Sequence, residues 1–309
     1  METSAPKSPP LIVFDRVSLT VDGRRYLDRA ELEVPEGESL VISGPPGCGK
    51  SFILRLILGL PGMRRDAFHI EGDVLVDGQS VFDSSPQWLQ RLRRHVGSVL
   101  RGGSLIENMD IRRNIMLPLN YHYRNVMDVG DIDARCDALL DDMGLRDVAT
   151  PGRRPVTLNR LERMYTALAR ALINLPHLLL IDEPTAGLTP EAARCLARFC
   201  FYYRPEFSSR SPEPIEEMAS RPMTRIVTAV DLERFLDYGH RFAILVDGQL
   251  EILGTRDDVV GSSDPRVLEL LSSPVGTGDA RRSIGALVAE RGNPAAGEST
   301  SPGSLAERG

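Results

Sequence analysis

The sequence predicts an α/β fold: a mostly parallel sheet joined to an antiparallel β subdomain, with a helical subdomain inserted. Three observations predict it. The strand-like "SLVIS" runs into a glycine loop and then into "SFILRLILGL", whose apolar residues fit a helix. Later apolar runs, "HLLLIDE", "RIVTAV" and "FAILVDGQLEIL", alternate with helical stretches, the pattern of a buried parallel sheet. Ahead of the loop, "LIVFDRVSLTV" and "AELEV" are short β runs broken by turns, the mark of an antiparallel start.

Taken in order, residues 1–10 are rich in Pro and Ser and are expected to be unstructured, and residues 11–271 carry the main domain. "GDVLVDGQSV" reads as a hairpin through Asp77 and Gly78. The helical "PQWLQRLRRH" follows, its Arg91 to His95 cluster reading as a solvated face or, secondarily, a contact for lipid or a membrane subunit; "VGSVL" is the next strand. From about residue 102 to 161 the strand signal fades, and "DIDARCDALLDDMGL" has helical spacing with Gly144 as a stop, so this region is expected to be the helical subdomain. Residues 204–221, rich in Pro, Ser and Glu, are expected to form a solvated loop. Residues 272–309 have the composition of a disordered tail, with "SIGALVAER" hinting at a short helix.

A length of 309 residues allows one large domain or two modest ones, and a hydrophobic content of 42% can fill a core. A net charge of −6 argues against a surface built to neutralise nucleic-acid phosphates. No apolar run approaches the roughly 18 residues that span a bilayer, and "METSAPKSPPLIVF" lacks the charged start and apolar centre of a signal peptide. A cytoplasmic location is therefore expected. Cys48, Cys136, Cys195 and Cys200 show no paired metal-ligand spacing, and reduced thiols are expected.

Two motifs carry chemistry. "GPPGCGKS", from Gly44, Pro45, Pro46, Gly47, Cys48 and Gly49 to Lys50 and Ser51, matches the phosphate-binding pattern G-x-x-x-x-G-K-[ST] and sits between a predicted strand and helix. Glycines admit close backbone approach, amides and the helix N-terminus face the phosphates, Lys50 reaches the outer ones, and Ser51 is a magnesium ligand. Phe52 completes the nucleotide-contacting set. Cys48 reads either as a small loop residue or as a thiol activated by the helix N-terminus. In "HLLLIDEP", Leu178 to Ile181 form a buried strand that delivers Asp182 and Glu183 at its C-terminal end. Asp182 is expected to hold magnesium through water, and Glu183 to orient or deprotonate the attacking water.

With these motifs in place, the chain resembles the nucleotide-binding subunits of ABC transporters over about residues 11–271, a P-loop NTPase fold of ABC type. Within that family it is most similar to the Mla-type ATPases of Mce lipid-transport systems, through "VGSVLRGGSLIENMDIRRNIMLPL", "DEPTAGLTP" and "DPRVLELL". The resemblance implies ATP and magnesium as cofactors. It also implies integral-membrane permease subunits and a second ATP-binding domain as partners, with a small accessory subunit as a further one. The chain would then lie peripherally on the cytoplasmic face of the membrane. Tyr26 is either the aromatic that stacks on adenine or an ordinary core or surface tyrosine.

Set against the family pattern, several positions depart. Leu158 matches the first residue of the L-S-G-G-Q signature, but Asn159, Arg160, Leu161 and Glu162 replace the rest. Arg101 stands where a glutamine is usual, Val230 where a histidine precedes Asp231, and Thr189 where an aspartate bridges the dimer. The helix after the signature keeps its apolar face in Leu161, Met164, Tyr165, Leu168 and Leu172, with Asn159 as cap and Glu162 closing a capping box. A helix that satisfies its own first amides, with bulk at Arg160 and Leu161, is expected to bind a partner's phosphate poorly. Weak or absent hydrolysis is the expectation; the alternative is an active ATPase in which Arg160 acts as a cationic finger. A soluble ABC-type protein unrelated to transport is the third reading, though the sequence lacks heptad arms and a basic surface.

Overall fold

A computed structural model describes residues 9–59, 68–207 and 211–271. The expectations for residues 1–8 and for the tail at 272–309 lie outside the described residues. Two sheets organise the chain. The first is antiparallel, in the order β2-β1-β4-β5, from β1 (Ile12–Val21), β2 (Arg24–Val34), β4 (His69–Val76) and the short β5 (Gln79–Ser80). Alternate residues of β1 and β2, among them Ile12, Phe14, Leu27, Leu32 and Val34, turn into the core, and the other face carries charge.

The second sheet has six strands in the order β10-β9-β3-β8-β7-β6. Its members are β3 (Ser39–Ser43), β6 (Val96–Val99), β7 (Leu178–Asp182), β8 (Thr224–Ala229), β9 (Arg241–Val246) and β10 (Gln249–Gly254). All neighbours pair in parallel except β10, which folds back antiparallel on β9. "FAILVDGQLEIL" is therefore a hairpin and not one strand, because Asp247 and Gly248 both take positive φ, the geometry of a tight two-residue turn. β3 and β7 are buried along their whole length, as helices on both faces require.

Helices fill the rest: α1 (Lys50–Ile57), α2 (Pro86–Arg94), α3 (Ile111–His122), α4 (Val129–Asp142), α5 (Arg160–Leu172), α6 (Pro190–Tyr202), α7 (Glu213–Ser220), α8 (Arg256–Val260) and α9 (Pro265–Leu271). Between 102 and 161 the chain forms α3, α4 and the start of α5, and no strand. Two expectations need correction. The stretch 204–221 is not all loop: α7 occupies Glu213–Ser220, and it forms because Ile215 finds full burial in the core. The Arg91 to His95 face is not simply solvated, since Arg93 Nε donates to the Leu58 carbonyl at 2.9 Å and the Arg94 guanidinium lies 5.6 Å from the Tyr123 ring centre. No helix among the described residues is long and apolar enough to cross a membrane.

A charged contact ties the two sheets at the end away from the glycine loop. Asp77, at the β4–β5 turn, accepts from Arg221 Nη2 at 2.8 Å and Nη1 at 3.3 Å, and the buried His177 brings Nε2 to 3.6 Å from Asp77 Oδ2. The imidazole first, then the guanidinium, hold the Asp77 carboxyl well below the usual carboxylate range. The folded state thus favours the ionised form, and the stability it lends is present above the ordinary value of 3.8 and is lost as the pH falls below it. Because Asn tolerates the positive φ of this turn, Asp77→Asn is expected to fold, to lose about 1 kcal/mol at neutral pH, and to be less acid-sensitive than the wild type. Denaturant unfolding across the acid range measures both.

Candidate functional site

β3 ends at Ser43, and the next residues turn back over the C-terminal edge of the parallel sheet before α1 begins. Close approach demands glycine at two positions here. At Gly44 (φ 156°) a Cβ would sit 2.3 Å from the Leu245 carbonyl oxygen, and at Gly49 (φ 117°) it would press on Tyr26 at 3.2 Å. The loop is therefore wedged between β9 and the antiparallel sheet, with α1 leading away from it. Lys50, the first residue of α1, is almost wholly buried, and its ammonium donates to the carbonyls of Gly44 at 2.7 Å and Pro45 at 3.0 Å.

Across from the loop, β7 delivers the two acids. Ser51 Oγ donates to Asp182 Oδ2 at 2.7 Å, a contact between residues 131 apart in sequence. Glu183 follows with φ 46°, a strained value that turns the chain off the strand end and directs the carboxylate at Lys50, whose Nζ is 3.3 Å from Oε1. Asp182 and Glu183 are both buried, where polar groups require partners of this kind.

One functional residue was not anticipated. Thr228, buried near the end of β8, donates from Oγ1 to Asp182 Oδ1 at 2.7 Å while the same oxygen accepts from Glu183 N at 3.1 Å. A threonine at the C-terminal end of a strand, after the apolar pair Ile226 and Val227, is the signal that could have found it. The positions singled out in the sequence also have defined places. Arg101, just after β6, brings Nη2 to 3.1 Å from Glu183 Oε2. Val230 lends its carbonyl to Ser43 Oγ at 3.2 Å and has no side-chain donor to offer. Thr189 caps α6 by accepting from Ala192 N at 3.4 Å.

Asn159 caps α5 with the full reciprocal pair: its Oδ1 accepts from Glu162 N, and its own N donates to Glu162 Oε2, both at 2.9 Å. Arg160 lies over the loop after Glu183, where a Cβ at Gly187 would meet its guanidinium carbon at 3.1 Å. Tyr26 and Phe52 meet edge to face with ring centres 4.8 Å apart beside the glycine loop, and Arg24 covers the Tyr26 ring at 4.8 Å. Cys48 is buried, its Sγ 3.8 Å from the Lys50 ammonium. All four cysteines are free thiols.

The donor set fits magnesium and a polyphosphate. Hydroxyl and carboxylate oxygens of Ser51 and Asp182 are hard ligands already adjacent, and the buried ammonium of Lys50 is held by carbonyls and a carboxylate, groups whose role a phosphate can take. The comparisons agree with that chemistry. The family model described as ABC transporter matches residues 27–186. The chain is similar to the methionine import ATP-binding protein MetN of Protochlamydia amoebophila, 29% identical over 71% of this chain and 57% of the relative. It is also similar to the sulfate/thiosulfate import ATP-binding protein CysA of Caulobacter vibrioides, 32% identical over 75% of this chain and 61% of the relative. The chain thus spans about three-fifths of the length of these curated relatives. Among solved structures, the dimeric post-hydrolysis state of the ATP-binding cassette MJ0796 bound to ADP and Pi superimposes with a TM-score of 0.61 at 26% identity, over 78% of this chain and 96% of the other.

Thr228→Val keeps the shape and removes the hydroxyl, leaving Asp182 Oδ1 without its donor, while Glu183 N keeps its bond to the backbone carbonyl of residue 228 at 3.1 Å. A loss of about 1–3 kcal/mol in denaturant unfolding is expected, together with weaker magnesium-dependent nucleotide binding. A change within about 0.5 kcal/mol, the range of ordinary surface substitutions, would remove Thr228 from the site.

Proposed function

The chain belongs to the ABC transporter family, and from that premise we propose that it is the ATP-binding subunit of such a transporter, with weak or absent hydrolysis of its own. The observation that carries nucleotide binding is the Ser51–Asp182 contact beside the buried Lys50. Ser51 and Asp182 would hold the magnesium ion, the loop amides and Lys50 the phosphates, and Tyr26 the adenine ring. Bound magnesium-ATP supplies the phosphoryl group to be transferred, with its charge offset by the metal. Glu183 is the residue placed to orient water or accept its proton.

Support for weak hydrolysis comes from the residues that would serve the opposite nucleotide. The capping box already engages Glu162 N and Asn159 N at the start of α5, Val230 has no hydrogen-bonding side chain in place of a histidine, and Arg101 lacks a glutamine's acceptor. Losing one donor aimed at transition-state charge costs about 2.7–4 kcal/mol, and more than one position is altered. A second reading keeps turnover through Arg160, whose exposed position at the start of α5 favours a cationic finger.

The partners on this reading are integral-membrane permease subunits, a second ATP-binding domain and a small accessory subunit, with the chain on the cytoplasmic face of the membrane. We read the cargo as lipid, on the Mla-like segments Val96 to Leu119, "DEPTAGLTP" and "DPRVLELL". Methionine and sulfate or thiosulfate belong to the relatives named for them.

The purified chain is expected to bind magnesium-ATP and to turn it over at a rate barely above that of Glu183→Gln, with Lys50→Ala losing binding. Robust turnover that depends on Glu183 would favour the Arg160 reading. Absence of ATP binding by the wild type would overturn the proposal.

A further inference from the structure

Both oxygens of the Glu183 carboxylate are taken by cations of the same chain, Lys50 at 3.3 Å from Oε1 and Arg101 at 3.1 Å from Oε2. The two cations differ in setting. Lys50 is 3% exposed and also has the carbonyls of Gly44 and Pro45, whereas the Arg101 side chain is 63% exposed and reaches inward from the turn after β6. We propose that Arg101 is a positioning residue that clamps the Glu183 carboxylate and withholds it from water until the arginine withdraws. The proposal deepens, and rests on, the reading of Glu183 as the group that acts on water.

The chemistry of the pair supports a clamp. A guanidinium offers only donors and stays protonated at any physiological pH, so the oxygen it engages faces a proton that is never released to it. A glutamine at the same place could both donate and accept, and would leave the carboxylate its charge without a competing cation. Since Lys50 is the residue expected on the phosphates, Arg101 is the cation that remains to decide whether Glu183 is available.

The base of the arginine is fixed while its tip is free to leave. Arg170 of α5 donates to the carbonyls of Gly103 at 2.9 Å and Ser104 at 3.0 Å, and Arg163 of the same helix pairs with Glu107 at 2.7 Å. The consecutive positive φ values of Gly102, Gly103 and Ser104 set the direction of the turn. The clamp is therefore held by the helix whose start stands in for the signature motif. Its release needs only a change in an exposed side chain, with no unpacking of the core.

The test uses the full-length chain with Arg101→Gln and Arg101→Lys, each with Glu183 and with Glu183→Gln. Arg101→Ala serves if the glutamine variant does not fold. Three quantities are read: ATP turnover, the Kd for magnesium-ATP, and thermal unfolding without nucleotide. Arg101→Gln is expected to raise turnover about tenfold, a small part of what a positioned base contributes, while Kd shifts by less than about twofold. Arg101→Lys is expected to keep the low rate, and the melting shifts of Arg101→Gln and Glu183→Gln are expected to be non-additive. Turnover equal to or below wild type in Arg101→Gln, or additive melting shifts, would overturn the clamp; a fall in rate would make Arg101 a cation acting on the phosphate. Should the wild type bind no ATP, the proposed function fails, while the melting cycle still reports on the clamp.

Discussion

The hydrogen bond from Ser51 to Asp182 is the contact on which the site depends. It joins the start of α1 to the end of β7, so the glycine loop and the acidic strand end cannot be placed independently. Around it Lys50, Glu183 and Thr228 are buried with Asp182, and hydrogen bonds and an ion pair link them with the half-buried Ser51. Such a cluster is costly to bury and costlier to break, because removing one member strands a charge. Its members therefore act as a unit, and the fold supplies it by ending parallel strands side by side: β3 leads to the loop, β7 carries the acids, and β8 between them contributes the threonine.

Most of that arrangement was legible in the sequence, for a physical reason. The glycine loop and the "HLLLIDE" strand are encoded locally: spacing dictates the turn, and burial on both faces dictates an unbroken apolar run. The α5 capping box was equally readable, since its donors and acceptors lie within four consecutive residues, Asn159 to Glu162. What escaped were contacts between distant residues with ordinary composition. Thr228 looks like any strand threonine until β8 is set beside β7, and Ile215 gave no sign that the polar stretch around it would yield a helix. Arg101 is the sharpest case: its type rules out a glutamine's role, but only the folded chain shows the guanidinium on Glu183.

Further contacts connect the turn of Arg101 to α5. Arg101 and the start of α5 lie far apart in sequence, yet Arg170 and Arg163 tie the arginine's turn to α5, and Arg160 at its start covers the loop following Glu183. Arg101 and Arg160 thus stand on either side of Glu183, one on its carboxylate and one over the loop that follows it. On this view nucleotide binding and hydrolysis are separable properties of the chain. Under the proposed function, binding would be set by the buried cluster and hydrolysis by the hold of Arg101 on the Glu183 carboxylate.

The most direct measurement is calorimetric titration of the full chain with ATP, with and without magnesium, for the wild type and Ser51→Ala. Wild-type binding is expected to strengthen with magnesium, and that dependence to be largely lost in Ser51→Ala while metal-free binding is little changed. Binding indifferent to magnesium in the wild type, or an undiminished magnesium dependence in Ser51→Ala, would contradict that expectation.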